Sequence, residues 1–364
     1  MSRSDAHAAI ADAPPLPRNR PTVANPRAGM VAVCVPVRNE AVLLPRLLDA
    51  LARQQRAESF VLCVVFDACT DDSAAVVAAR CAALPFAVVT QMLPPNTAPN
   101  AGRARAAAMA LGLATVGETG VLLSTDADSV PATDWIASNI EALDLADIAA
   151  GLIVRSGGAA SPVQDRIEAY YDGLARLRRL LDPVPWENGA PHHYTSAASL
   201  GCSGATYLRL GGFAAVAAGE DARLVDQAYR LGLRVRRDCA IRVETSTRRD
   251  GRARGGLADH LRDLDQSGGG SARMAHPEDV AWRYARHAVA RAAWPVTAAG
   301  AGVLAEALCC GRDHIHAAAA DAETAEAFAI RVVPDIPGGE RLVDLAAAEA
   351  ALATLLLQHQ GVAA

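Results

Sequence analysis

The chain has 364 residues, of which 51% are hydrophobic, and its formal net charge is −5. This weakly acidic balance does not indicate a nucleic-acid-binding surface, and no apolar run reaches the roughly 18–20 residues of a membrane-spanning helix. All 35 basic residues are arginines, so the chemistry of a Schiff-base lysine or a P-loop lysine is excluded.

Apolar segments alternate with segments of helical periodicity through the first half of the chain. Residues 1–29 precede this pattern and lack the apolar core of a signal peptide, so we expect a disordered leader there. The predicted strands are 30–37, 60–66, 86–91, the apolar run from 121 and 147–154, and the predicted helices are 43–56, 72–81, 102–114 and 135–143. Continuous apolar strands separated by helices indicate a parallel sheet covered on both faces.

The second half of the chain follows a less regular pattern. It predicts helices at 162–181 and 220–231, a strand at 201–208, a strand-like pair within 233–243, a mobile glycine-rich segment at 266–273, and a mostly helical remainder that ends in 342–358. The eight cysteines show no metal-ligand spacing, and several lie in apolar strands. Such usage favours a reduced, cytoplasmic protein.

Two carboxylates one residue apart, Asp126 and Asp128, follow the apolar run from Val121 to Leu123. Alternate residues of an extended segment point the same way, so these two side chains can share one target. Two hard oxygen ligands on one side of a divalent cation leave its other side open for a diphosphate and water. Taken alone, the tripeptide also suits a strand end with two solvated acids.

Four short sequence motifs, called blocks here, carry information through their order along the chain. They are Val-Pro-Val-Arg-Asn-Glu at 35–40, Phe-Asp-Ala-Cys-Thr-Asp-Asp-Ser at 66–73, Asp-Ala-Asp at 126–128, and Gly-Phe at 212–213 followed by Gly-Glu-Asp at 219–221. Together they resemble family 2 glycosyltransferases of the GT-A fold. The resemblance implies an α/β fold, with a Rossmann-like, mostly parallel sheet, helices on both faces and a helical C-terminal extension.

The resemblance spans residues 30–256 and implies a division of the chain. A nucleotide-binding half would cover about 30–130 and an acceptor half about 131–256. Residues 257–364 match nothing in the family, and we expect a flexible glycine-rich loop and a mostly helical extension there.

The resemblance also assigns donor-binding residues. Pro36, Arg38 and Glu40 would contact the nucleoside, and Asp67 would accept a hydrogen bond from the uracil imide. Asp67 could equally form a local turn. The family usually has glycine at the next position, where this chain has Ala68.

Two arginine groups are candidates for anion binding. Arg103 and Arg105 resemble the family's helix start beneath the donor, where a helix N-terminus and guanidinium groups suit anionic oxygens. Arg248 and Arg252, together with Arg249, could close over the donor diphosphate or bind an anionic acceptor group. A solvated surface position remains open for each of them.

The same resemblance implies the catalytic groups. Asp221 would be the general base of an inverting transfer, with Glu220 in support, and a metal at Asp126 and Asp128 would stabilise the departing nucleoside diphosphate. The two acids at 220 and 221 could instead only stabilise a helix start. His260 could complete a metal shell in a retaining enzyme.

The expected function is transfer of a sugar from a nucleotide-diphospho-sugar to an acceptor hydroxyl. The expected donor is a UDP-sugar, and the expected cofactor is Mn2+ or Mg2+. The acceptor would be a small molecule or a peripherally presented lipid or glycan, and His192 and His193 could line its pocket. The alternatives are a retaining GT-A transferase and a catalytically silent module that binds a sugar nucleotide or a glycan. A Rossmann dehydrogenase is disfavoured because no Gly-X-Gly-X-X-Gly follows the first strand.

Overall fold

Strands and helices alternate through the first half of the chain, as the hydrophobic pattern predicts. The computed structural model describes residues 30–55, 59–94, 100–190, 192–251, 255–270 and 272–360, so the leader expected at 1–29 lies outside the described residues. The strands are β1 (Val31–Val37), β2 (Phe60–Phe66), β3 (Ala87–Met92), β4 (Val121–Thr125), β5 (Val130–Pro131) and β6 (Ile148–Ser156). The helices are α1 (Leu44–Ala52), α2 (Ser73–Arg80), α3 (Ala101–Val116) and α4 (Trp135–Leu143).

The second half adds strands to the same sheet and then becomes helical. Its strands are β7 (Ser199–Ser203), β8 (Val235–Ser246), β9 (Arg273–Ala275) and β10 (Leu342–Asp344). Its helices are α5 (Pro162–Leu181), α6 (Gly204–Arg209), α7 (Glu220–Arg230), α8 (Leu257–Ser267), α9 (Pro277–Ala292), α10 (Ala298–Leu308), α11 (Arg312–Ala320), α12 (Ala325–Val332) and α13 (Leu345–Gln360). No helix in the described part of the chain is long and apolar enough to span a bilayer.

The segment 201–208, predicted as one strand, divides into β7 and α6, so that prediction was wrong. The hydroxyl of Ser203 accepts a hydrogen bond from the backbone nitrogen of Thr206 at 3.0 Å, which caps the new helix. Gly204 allows a close approach here, because a Cβ at this position would lie 2.4 Å from the carbonyl oxygen of Gly117. The strand-like pair within 233–243 is the single strand β8, with a register shift against β6 between Gly151 and Leu152.

One eight-stranded sheet organises the molecule, in the order β3-β2-β1-β4-β7-β6-β8-β5. Strand β1 lies parallel to β2 on one side and to β4 on the other, and only β7 and β5 run against the other described strands of this sheet. The strand order therefore reverses between β1 and β4. Ligands of open α/β sheets bind at the carboxyl ends of the strands beside such a reversal.

Alternate residues of the central strands enter two separate cores. Val33 and Val35 of β1 belong to a core that packs against α1, α2 and α4, whereas Ala32 and Cys34 belong to one that packs against α3, α6 and α7. Helices thus cover both faces of the sheet, and the predicted fold class is confirmed. Two further cores lie among the C-terminal helices, one of them shared with α5 around Tyr170.

Candidate functional site

A cavity of about 520 Å³ opens at the edge of the sheet where β1, β2 and β4 end. Ten of the twelve predicted site residues line it: Pro36, Arg38, Glu40, Asp67, Arg105, Asp126, Asp128, Glu220, Asp221 and Arg248. Arg103 lies directly outside the lining, and Arg252 is outside the described residues. The topology therefore brings together residues that are far apart in sequence.

The loops that follow β1 and β2 are joined by side-chain-to-backbone hydrogen bonds. Asn39 Oδ1 accepts from the backbone nitrogen of Thr70 at 2.7 Å, and Asp71 Oδ2 accepts from that of Ala41 at 2.9 Å. Asn39 and Ala68 both have left-handed backbone conformations, with φ of 52° and 49°. These contacts fix the two loops as one unit and thereby place the neighbouring polar side chains at the cavity.

Asp67 lies at the end of β2, and its carboxylate is only 2% exposed. Arg103 Nη2 contacts Asp67 Oδ1 at 2.5 Å, and Arg38 Nη1 contacts Asp67 Oδ2 at 3.4 Å. Both arginines thus hold the carboxylate at the cavity wall. Arg103 thus contacts a cavity-lining carboxylate without lining the cavity itself.

Arg105 is buried, and its guanidinium connects three parts of the site. Its nitrogens contact Glu220 Oε1 at 3.3 Å and Asp126 Oδ1 at 2.5 Å. A third contact, at 2.9 Å, reaches the hydroxyl of Ser124. Burial works to lower the pKa of Arg105, but the neighbouring carboxylates outweigh it and the pKa is raised. Arg105 therefore stays charged and holds the Asp-X-Asp segment against the start of α7.

The carboxylates of Asp126 and Asp128 face different arginines. Arg105 contacts Asp126, whereas Arg248 Nη2 approaches Asp128 Oδ2 at 3.3 Å. Arg248 also forms a two-pronged ion pair with Glu40, one contact being Nη1 to Oε2 at 2.7 Å. Burial first, and then the nearby Asp126 and Glu40 charges, raise the pKa of Asp128 to about 7, against the opposing effect of Arg248. Negative charge is thus crowded at this wall of the cavity.

The donor set of this wall suits a hard divalent cation. Asp126 and Asp128 offer carboxylate oxygens from one strand end, and a cation near them would relieve the crowding that raises the pKa of Asp128. No group of three or more His, Cys, Asp or Glu side chains that could hold an ion occurs in the described part of the chain. Substrate oxygens and water would therefore have to complete the coordination of a cation held here.

The helix α7 begins at the cavity with Glu220, after Gly219 in the left-handed conformation, with φ of 77°. Glu220 is buried and forms an ion pair with Arg105 inside the protein. Asp221 is more accessible, and its two carboxylate oxygens accept from the backbone nitrogens of Ala222 at 2.8 Å and Ala197 at 3.3 Å. An oriented carboxylate at the cavity wall can accept a proton from a bound hydroxyl.

A sequence comparison matches part of the chain to a family model. Residues 32–197 match the model described as Glycosyl transferase family 2. Over this segment the chain is similar to family 2 glycosyltransferases. The matched segment contains the three blocks at 35–40, 66–73 and 126–128 and ends before Glu220 and Asp221, so the roles of these two acids stay predictions. None of the characterised proteins compared with the chain by sequence matches it.

Several solved structures resemble the chain at low sequence identity. TarS residues 1–349 from S. aureus, in complex with UDP-GlcNAc, is 16% identical with a TM-score of 0.48, over 77% of this chain and 79% of that one. The mannosyltransferase PcManGT from Pyrobaculum calidifontis, in complex with GDP-Man and Mn2+, is 18% identical with a TM-score of 0.46, over 85% of this chain and 87% of that one. The similarity to family 2 glycosyltransferases rests on the sequence match and not on these likenesses.

The histidines considered from the sequence lie outside the cavity lining. His260 is on α8, where its Nε2 contacts Gln164 Oε1 at 2.9 Å. His193 Nδ1 contacts Asp172 Oδ1 at 2.8 Å, and His192 is buried. Arg249 pairs with Asp265 away from the cavity.

Tyr194 lines the cavity although the sequence analysis did not single it out. It belongs to the segment before β7, which also supplies Ser196 and Ala198 to the lining. The only signal in the sequence was a polar loop rich in Pro, His and Tyr, which does not indicate which of its side chains faces a ligand.

Proposed function

We propose that this transferase moves a sugar from a UDP-sugar to an acceptor hydroxyl, with a divalent cation and with inversion at the anomeric carbon. One observation carries the proposal. The carboxylates of Asp67, Asp126 and Asp128 and that of Asp221 line a single cavity at the strand-order reversal. In this arrangement Asp67 would contact the nucleobase, and Asp126 and Asp128 would hold the cation at the diphosphate. Asp221 would contact the acceptor hydroxyl.

The donor side of the proposal rests on Asp67 and its arginines. An ionised carboxylate has about four lone-pair sites, so Asp67 can accept from the uracil imide while it also contacts Arg38 and Arg103. The two arginines would hold the Asp67 carboxylate in its orientation. Pro36 and Glu40, at the neighbouring strand end, complete this wall.

The diphosphate side rests on Asp126, Asp128 and Arg248. The two aspartates would hold Mn2+ or Mg2+, and the bound cation would supply charge stabilisation for the departing UDP. Arg248 reaches Asp128 and Glu40 from the end of β8, so its guanidinium is available beside the same diphosphate. Arg105 holds Asp126 in place from within the protein.

The acceptor side rests on Asp221. In the proposed step the acceptor oxygen bonds to the anomeric carbon while the bond between that carbon and the UDP oxygen breaks. The hydroxyl proton passes to the Asp221 carboxylate, which two backbone amides hold in position. A single displacement of this kind inverts the anomeric configuration. A retaining reaction with His260 as a metal ligand finds no support, because His260 contacts Gln164 and does not line the cavity.

The eight cysteines of the chain are free thiols in the structure. We also propose a reducing, cytoplasmic setting, which these thiols support.

The test compares Asp221→Asn with a matched control on the same helix, Asp226→Asn, which is exposed and outside the cavity lining. UDP-sugars are screened with Mn2+ for acceptor-dependent UDP release, and NMR reports the anomeric configuration of the product. We expect Asp221→Asn to slow transfer by about 10²–10⁴-fold, the usual contribution of a general base, with donor affinity within a few-fold of the original. The control should transfer normally.

A product that keeps the donor configuration would overturn the inverting assignment. UDP-sugar binding without any turnover would instead support the silent binding module.

A further inference from the structure

Arg248 lies between two acids that come from separate loops of the cavity wall. It follows β8, whereas Glu40 follows β1 and Asp128 follows β4. Its Nη1 contacts Glu40 Oε2 at 2.7 Å, and its Nη2 contacts both the other oxygen of Glu40 and, at 3.3 Å, Asp128 Oδ2. All three residues line the cavity. One guanidinium thus connects the ends of three strands at the place proposed for the cation.

Glu40 is the stronger of the two partners. The side chain of Glu40 is 7% exposed, and the contact with Arg248 is two-pronged, which is the strongest geometry between a guanidinium and a carboxylate. The backbone of Glu40 is fixed as well, because its nitrogen donates to Ser73 Oγ at 2.8 Å and its carbonyl accepts from the nitrogen of Leu44 at 2.9 Å. The single, longer contact with Asp128 is therefore the one that Arg248 can exchange while it stays on Glu40.

The backbone beside Arg248 is also held in place. The nitrogen of Arg248 donates to Ser246 Oγ at 3.3 Å. The next residue, Arg249, pairs with Asp265 on the other side of the loop and donates to the carbonyl of Thr247 at 2.7 Å. The side chain of Arg248 is 24% exposed. It can therefore change its partner within the cavity without a movement of the loop.

Asp128 has two competing uses in the proposed reaction. A divalent cation held by Asp126 and Asp128 would lie beside the guanidinium that now contacts Asp128. Like charges repel strongly in a partly buried site, because the effective dielectric constant there is far below that of water. The contact between Arg248 and Asp128 therefore opposes the entry of a cation.

A nucleoside diphosphate removes this conflict. Its phosphate oxygens are good acceptors for a guanidinium, so Arg248 can leave Asp128 for a phosphate and keep its contact with Glu40. The carboxylate of Asp128 then becomes available to the cation. Under this arrangement each of the two ligands favours the binding of the other.

We propose that Arg248 competes with the divalent cation for Asp128 in the empty site and passes to the donor diphosphate when the nucleotide binds. The site is thereby closed to a free cation and opens to it together with the nucleotide. The proposal rests on the proposed function, because it concerns the donor and the cation of that reaction.

The test measures two binding reactions of Arg248→Gln in the full chain. Electron paramagnetic resonance of free Mn2+ reports metal binding without nucleotide, and calorimetry with a chelator present reports UDP binding without metal. We expect Mn2+ to bind about tenfold more tightly than in the wild type, and metal-free UDP to bind about tenfold more weakly, since each change corresponds to one charge-assisted contact. Unchanged Mn2+ affinity would show that Arg248 only binds the diphosphate. Weaker Mn2+ binding would show that it only holds Asp128 in place, and either result would overturn the proposal.

The double variant Glu40→Gln with Arg248→Gln separates competition from a general effect of charge. It has the same net charge as the wild type and leaves no buried carboxylate without its cation, so it also guards against a loss of folding. Its Mn2+ affinity in the absence of UDP should still exceed that of the wild type by several-fold. If the gain disappears in the double variant, it came from the uncovered Glu40 carboxylate, and the proposal is wrong.

Arg38→Gln is the matched single control. Arg38 lines the same cavity with a similarly exposed side chain, 26%, but it contacts Asp67 instead of the Asp-X-Asp segment. Because the change in charge is the same and the partner differs, free Mn2+ should bind within about twofold of the wild type. An equal rise of Mn2+ affinity in Arg38→Gln and Arg248→Gln would contradict a specific role of Arg248.

UDP binding in the presence of Mn2+ separates this proposal from the proposed function. If the wild type binds UDP more tightly with Mn2+ while Arg248→Gln leaves free Mn2+ binding unchanged, this proposal alone fails. If the predicted exchange occurs but no UDP-sugar supports transfer, the proposed function alone fails. If neither the wild type nor any variant binds Mn2+, with or without UDP, both proposals fail.

Discussion

Arg105 supports the candidate site from inside the protein, and its removal should cost much of the stability of the fold. The side chains of Arg105 and Glu220 are each 9% exposed, so Arg105→Met leaves the Glu220 carboxylate buried without its cation. Breaking a buried ion pair by removing one partner typically costs about 3–5 kcal/mol. Asp126 is less affected, because its side chain is 33% exposed and water can replace the lost contact.

Chemical denaturation followed by tryptophan fluorescence measures this cost. Arg105→Met should lower the free energy of unfolding by about 3–5 kcal/mol. The second change Glu220→Gln removes the stranded charge, so the double variant should regain about 1–3 kcal/mol of this loss.

The control is Arg166→Met, which breaks an exposed ion pair with Glu349. The side chains of that pair are 51% and 34% exposed, so the loss should stay below about 1 kcal/mol. If Arg105→Met lowers the free energy of unfolding by no more than Arg166→Met does, the Arg105 guanidinium does not hold the site together. Arg105 then becomes a candidate for direct contact with the donor.

Three further predictions concern single positions. Asp67→Ala should weaken the binding of UDP more than the binding of other nucleoside diphosphates, as measured by calorimetry. Equal losses of affinity for all of them would show that Asp67 only forms a local turn. Ala68→Gly should raise the free energy of unfolding by about 0.5–1 kcal/mol, because φ of 49° strains alanine and not glycine; a lower value would contradict this reasoning. Burial first, and then Arg237, lowers the pKa of His192 from its ordinary 6.5 to about 4, so its contribution to stability is present above pH 6.5 and is lost as the pH falls towards 4. The difference in stability between the wild type and His192→Gln should therefore shrink by about 2–4 kcal/mol between pH 7 and pH 4, and a difference that stays constant would show that His192 does not titrate in this way.

The sequence was most informative where a local pattern decides the structure. The apolar runs of β1 and β2 and the periodicity of α4 and α5 predicted these elements closely, because burial on a sheet or along a helix face leaves a regular pattern. The strand-end blocks then indicated which edge of the sheet would hold the site. The prediction for 201–208 failed because a serine cap and a close glycine contact outweighed its apolar character.

The sequence could not predict which carboxylate each arginine contacts. Arg105 and Glu220 are 115 positions apart, and only the folded topology shows that they pair inside the protein. Arg103, two residues away, instead reaches Asp67. Neighbouring helix positions point in different directions, and which one meets a distant carboxylate depends on the packing of α3 against the sheet. Tyr194 was missed for a different reason, because the pattern of a polar loop does not indicate which of its side chains faces a cavity.

A calorimetric titration of UDP with and without Mn2+ tests the central claim most directly. The wild type should bind UDP more tightly with Mn2+, and Asp128→Ala should abolish this gain while its melting temperature shows an intact fold. The exposed residue Glu141 on α4 provides the control, since Glu141→Ala should keep the full gain. Unchanged Mn2+-dependent UDP affinity in Asp128→Ala would contradict the assignment of this cavity as a metal-dependent donor site.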